Sequence, residues 1–116
     1  MPKTMLDILQ TLLAAPEEGQ HLLRETRDFW EDYDPDEMDA LYYELVAEMN
    51  VIVESLTAVW GVPDFHGRWD DADYPAWAFH DVIAYWERQG RFAYVAVRHE
   101  DKELPIELML GVSDGA

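Results

Sequence analysis

The chain has 116 residues, 25 acidic and 8 basic, for a net charge of −17; 49% are apolar, with five Trp, six Tyr, four Phe and no Cys. That length fits one domain, and the aromatic content is too high for a disordered acidic tail. Without cysteine there is no disulfide, thiolate nucleophile or cysteine-based zinc site, and so negative a surface repels nucleic acid and anionic membranes while attracting basic proteins.

The N-terminal stretch places Lys3 and Asp7 beside its apolar residues, which makes a poor signal peptide. Nowhere is there an apolar run of about 18 residues, the length a membrane-spanning helix needs. A cytoplasmic protein is the expectation. Thr4 reads as an N-cap with Asp7 three residues on. Met5, Leu6, Ile8, Leu9, Leu12 and Leu13 then predict a first helix that stops near Ala15-Pro16. A second helix is expected to begin near Pro16 or just after Gly19. Its apolar positions would be Leu22, Leu23, Phe29, Trp30 and Tyr33.

The third helix has the clearest limits. Asp34 can cap it, Pro35 suits its first position, and Glu37 completes an Asp-x-x-Glu box. Met38, Leu41, Leu45, Met49, Ile52, Leu56 and Val59 recur every three or four residues, widened by Tyr42, Val46, Val53 and Trp60. Gly61 and Pro63 stop it. Residues 61–79 read as a loop that carries Phe65, Trp69, Tyr74 and Trp77 into the domain.

From residue 81 the apolar period becomes two. Strands are expected at about 81–87, 91–98 and 104–112, with a hairpin turn at Gln89-Gly90. In the third, Leu104, Ile106, Leu108, Leu110 and Val112 alternate with Pro105, Glu107, Met109 and Gly111, which predicts one buried face. Pro105 predicts an edge position. The expected fold is α+β, with three N-terminal helices packed on a C-terminal three-stranded antiparallel meander. It forms a single domain over 1–116, divided into a helical part (1–60), an aromatic loop (61–79) and the meander (80–113), with no internal repeat.

Little in the chain favours catalysis. Asp32, Asp34 and Asp36 form a D-x-D-x-D run like the start of a calcium loop, but Glu37 stands where that loop needs Gly and Tyr43 where it needs Glu. His66 near Asp70, Asp71 and Asp73 is the most metal-like neighbourhood, yet no His-x-x-His or His-x-x-x-His pair exists. Ser55 and Ser113 lie in no G-x-S-x-G elbow, and no phosphate-binding glycine pattern occurs. No catalytic residue, metal ligand or cofactor is expected.

Binding is better served. Asp28, Glu31, Asp32, Asp34, Asp36, Glu37 and Asp39 fall within twelve residues that contain no base. Carboxylates at a helix start also answer the helix dipole, so capping and solubility account for part of this charge. Seven acids exceed what capping needs. The predicted partner contacts are Asp32, Asp34, Asp36, Glu37, Asp39, Glu44 and Glu48. Phe92 and Tyr94 share one face of the second strand, opposite Ala93, Val95 and Val97. The smaller face suits a packed helix, and the aromatic face is either covered by the 61–79 loop or open to a partner.

The segments Ala58-Val59-Trp60-Gly61-Val62-Pro63, Asp81-Val82-Ile83-Ala84-Tyr85-Trp86 and Glu100-Asp101-Lys102-Glu103-Leu104-Pro105 resemble small acidic bacterial proteins of the toxin-immunity type. The resemblance covers the C-terminal half. It implies a cytoplasmic protein that neutralises a partner and carries over no catalytic residue. The leading expectation is an acidic protein-binding module, an inhibitor or immunity-type protein that docks on a basic protein such as a nuclease. The alternatives are a self-associating structural or adaptor protein, and a metal-dependent enzyme built on clustered carboxylates and His66.

Overall fold

A computed structural model describes residues 4–115. In chain order the elements are α1 (Met5–Ala14), β1 (Gly19–Glu25), α2 (Pro35–Trp60), β2 (Phe65–Arg68), β3 (Val82–Arg88), β4 (Arg91–Arg98) and β5 (Glu107–Ser113). The strands form one antiparallel sheet in the order β1-β5-β4-β3-β2. The class is α+β, but among the described residues two helices and five strands replace the expected three helices on a three-stranded meander.

Both helices start as their caps dictate. The Thr4 hydroxyl accepts from the Asp7 N–H and the Asp7 carboxylate accepts from the Thr4 N–H, a full capping box. Asp34 accepts from the Asp36 and Glu37 N–H groups, with Pro35 just inside the helix. Gly61 ends α2 at φ 84°, a conformation open to glycine. Val59, expected in the buried stripe, is instead 61% exposed.

The expected second helix is corrected to strand β1. Leu22 pairs with Met109 and Arg24 with Leu108, and the register shift between them is a bulge. The bulge breaks the alternation by which a strand is read. Leu23 packs into the helix-side core while Leu22 is exposed on the other face. Phe29 is fully buried although it lies outside any helix, and its N–H donates to the Glu103 carbonyl at 2.9 Å. Within the expected 61–79 loop, Phe65–Arg68 pairs with β3 as an edge strand too short to show a period. Pro105 precedes β5, which lies between β1 and β4 rather than at an edge.

The β3–β4 hairpin turns at Gln89 (φ 57°) and Gly90 (φ 74°). Two successive positive φ values match the right-handed strand twist. Both helices pack on one face of the sheet. There Val82, Ala84 and Trp86 of β3, Ala93, Val95 and Val97 of β4, and Leu108, Leu110 and Val112 of β5 meet Leu9, Leu13, Leu45, Met49 and Leu56. Trp86 donates its indole N–H to the Gly61 carbonyl at 2.8 Å, which ties the end of α2 to β3.

The opposite face carries a smaller core of Ile83, Tyr94, Ala96 and Met109. It is covered by Ala78, Tyr74 and Trp77 from the segment between β2 and β3. Gly111 pairs with Tyr94 across the β4–β5 ladder, and a Cβ at Gly111 would fall on the Tyr94 ring. The G111A variant is therefore expected to lose about 1–3 kcal/mol through overpacking. The check is a urea midpoint that falls at unchanged slope. A wild-type midpoint would mean that the Tyr94 ring moves aside freely.

Candidate functional site

The segment between β1 and α2 is irregular but anchored. Phe29 sits in the core, its ring edge-on to His99 at 6.1 Å and under the Arg27 guanidinium at 4.7 Å. Arg27 also donates to the Asp28 and Asp32 carbonyls, at 2.7 and 2.9 Å, and to both carboxylate oxygens of Glu37. The next residue after the anchor, Trp30, is 64% exposed, and Tyr33 is 48% exposed. A buried Phe and a saturated Arg thus hold an aromatic side chain out into solvent among carboxylates.

The seven predicted contacts divide into two groups. Glu37 pairs with Arg27 at 2.8 Å, and hydrogen bonding from that guanidinium holds its carboxyl below the usual carboxylate range. Glu44 pairs with Arg24 at 3.0 Å, and Glu48 pairs with the same arginine. Asp34 is occupied as the cap of α2. The structure therefore gives four of the seven an intramolecular partner. Asp32, Asp36 and Asp39 are exposed, as are Asp28 and Glu31, and none of these five forms an ion pair among the described residues. Asp36, Asp39 and the 69% exposed Tyr43 follow one another at i, i+3 and i+7 on α2, a single stripe of the helix surface.

Trp30 and Tyr33 were expected on the apolar face of a helix and instead join the acidic surface. An available signal was the density of acids around Trp30, with Asp28, Glu31 and Asp32 within two residues. The same acids flank Phe29, which is fully buried, so that density marks the segment and does not tell the two residues apart.

Phe92 and Tyr94 do lie on the face away from the helices. Trp77 covers Phe92 as a stacked pair at 5.2 Å and lies 5.8 Å from Tyr94. Tyr94 is buried and Phe92 half-buried, so the segment before β3 takes most of this surface. Among the described residues His66 forms no ion pair or hydrogen bond with the nearby carboxylates, and burial alone lowers its imidazole. Asp71 accepts from the Arg68 N–H and Asp70 pairs with the Arg68 side chain. Among the described residues no three His, Asp or Glu side chains gather as a metal-binding set.

The remaining face contains a depression of about 350 Å³ between the 77–80 segment and the β1–β5 edge, bordered by Trp77, Phe79, His80, Tyr94, Arg98 and Glu18. Phe79, His80 and Arg98 also border a second hollow with Trp69 and His99. His80 is buried, and burial together with the Arg98 charge pushes its imidazole down to about 4. Periodicity carries no sign of this grouping. No family model, curated protein or solved structure matches the chain.

Proposed function

We propose that the chain is an acidic protein-binding module of the cytoplasm, an inhibitor or immunity-type protein that docks on a basic protein. The supporting observation is Trp30, held in an exposed position beside the buried Phe29 and flanked by carboxylates that form no ion pair among the described residues. Interface energy concentrates in aromatic anchors, whereas surrounding charges set encounter rate and specificity. Trp30 supplies the anchor; Asp28, Glu31, Asp32, Asp36 and Asp39 supply the field. The carboxylates of Glu37, Glu44 and Glu48 are committed to Arg27 and Arg24 and serve the fold first.

A nuclease or other nucleic-acid-binding protein suits this surface. Its cleft must be positive to hold phosphates, so an acidic plug competes directly with substrate. Two variants separate the contributions. W30A is expected to weaken the complex by about tenfold or more, mainly through faster dissociation. Reversing Asp32 and Asp36 to Lys is expected to slow association and flatten its salt dependence. Surface plasmon resonance on the captured partner measures both. Wild-type kinetics in both variants would place the contact elsewhere.

A further inference from the structure

On the sheet face turned away from the helices, we propose a binding site for a small aromatic molecule that presents an acceptor oxygen, a carboxylate or an amide carbonyl, to His80 and Arg98. The site stands apart from the acidic face around Trp30 and does not depend on the protein-binding reading.

The donors are set by hydrogen bonds already made. His80 Nδ1 accepts from the Phe79 N–H at 3.3 Å, which leaves Nε2 as the protonated, donating nitrogen of a neutral ring. His80 is 8% exposed, and its Nε2 has no hydrogen-bond partner among the described residues. A buried N–H without an acceptor is costly to keep, and such groups concentrate where a ligand supplies the partner. The backbone that carries the ring is also held in place. The Tyr74 hydroxyl accepts from the His80 N–H and donates to the His80 carbonyl, both at 2.7 Å.

Arg98 adds a second donor. Its Nε and Nη2 both go to one oxygen of Glu107, at 3.1 and 2.9 Å, and Nη1 lies outside that pair. Glu107 offsets the guanidinium charge, so the pair favours an acceptor oxygen without being a strong trap for anions.

The walls select an aromatic body. Trp77 is braced by Phe92, and Phe79 stands 80% exposed at the rim, a large apolar surface with nothing packed over it. Tyr94 floors the depression in the space left by Gly111. Its volume, about 350 Å³, lies at the small end of ligand sites. Glu18, Gly19, Gln20, Val112 and Ser113 complete the lining, and the Glu18 carboxylate is held by the Ser113 hydroxyl and the Asp114 N–H, so the aromatic rings share the hollow with a few polar groups.

The test is titration of the full chain with phenylacetate and, separately, with phenylacetamide, followed by nitrogen–proton correlation NMR at the Trp77 indole and the His80 imidazole. Saturable shifts at both residues are expected for at least one probe, with millimolar affinity and an unmoved Trp30 indole. Tighter phenylacetate would identify the acceptor as a carboxylate drawing on Arg98, and tighter phenylacetamide as a neutral carbonyl. The variants H80F, which keeps an aromatic ring but removes the donor, and R98Q are each expected to weaken binding roughly tenfold. If H80F does not fold, R98Q decides alone. Absence of a saturable shift with either probe, or wild-type affinity in the folded variants, would overturn the site.

Discussion

Replacing Arg91 with methionine is expected to lower the unfolding free energy by about 2–4 kcal/mol. The Arg91 side chain is only 14% exposed, and it joins the end of α1 to the sheet. Its Nη1 donates to the Leu13 carbonyl at 3.1 Å and the Ala15 carbonyl at 2.7 Å, with Leu12 at 3.5 Å. Carbonyls in the last turn of a helix lack the usual donor four residues on, and α1 has no basic residue of its own there; only the Leu12 carbonyl has a local donor, the Ala15 N–H at 3.3 Å. Nε and Nη2 meanwhile hold Asp114, which fastens the chain just beyond β5. Methionine keeps much of the apolar stem and removes every donor. Urea unfolding should show a lower midpoint at an unchanged slope. A loss below about 0.5 kcal/mol, the range of ordinary surface substitutions, would mean that solvent satisfies those carbonyls equally well.

The second large effect is a dependence of stability on pH. The His80 imidazole titrates at about 4 in the fold, against 6.5 ordinarily. Between these values the unfolded chain binds a proton that the folded chain does not. Acid therefore draws the equilibrium toward unfolding. The contribution of neutral His80 is fully present above about pH 6.5 and falls away as pH drops toward 4, a span worth about 3 kcal/mol. Glu37 adds to the loss at lower pH: its folded value is lowered from 4.5 by Arg27, so its protonation releases Arg27 and destabilises the fold as pH falls below that ordinary value. The difference between wild type and H80F isolates the histidine. That difference should widen steadily in favour of the variant from pH 6.5 to pH 4 and stay flat above it. A constant difference across the range would mean that His80 is hydrated in the fold and titrates normally.

The long helix and the hairpin were legible because their signals are local. Asp34, Pro35 and Gly61 mark the limits of α2 at fixed offsets, and Gln89-Gly90 turns the chain between β3 and β4. The two unread strands lack such signals. In β1 the bulge between Leu22 and Arg24 interrupts the period, and adjacent Leu22 and Leu23 point to opposite faces. Phe29 and Trp30, consecutive in sequence, end at 0% and 64% exposure, so a shared helical face for them was unfounded. Strand β2 has four residues, one of them Gly67.

The acidic surface was legible in composition and only partly in detail. Charge density pointed to the start of α2. Which carboxylates stay free depends on Arg24 and Arg27, whose partners lie 24, 20 and 10 residues away. Periodicity does not report contacts at those separations. The same holds for His80, Tyr94 and Arg98, which come together from two parts of the chain, the 77–80 segment and β4.

The most direct test of the partner-binding reading is a side-by-side capture from host-cell lysate at moderate salt, with wild-type protein on one support and W30A/D32K/D36K on the other. A single basic protein retained by the wild type and lost from the folded variant is the predicted result. Equal retention on both supports, or only a scatter of basic proteins that salt removes from each, would contradict a specific docking face at Trp30.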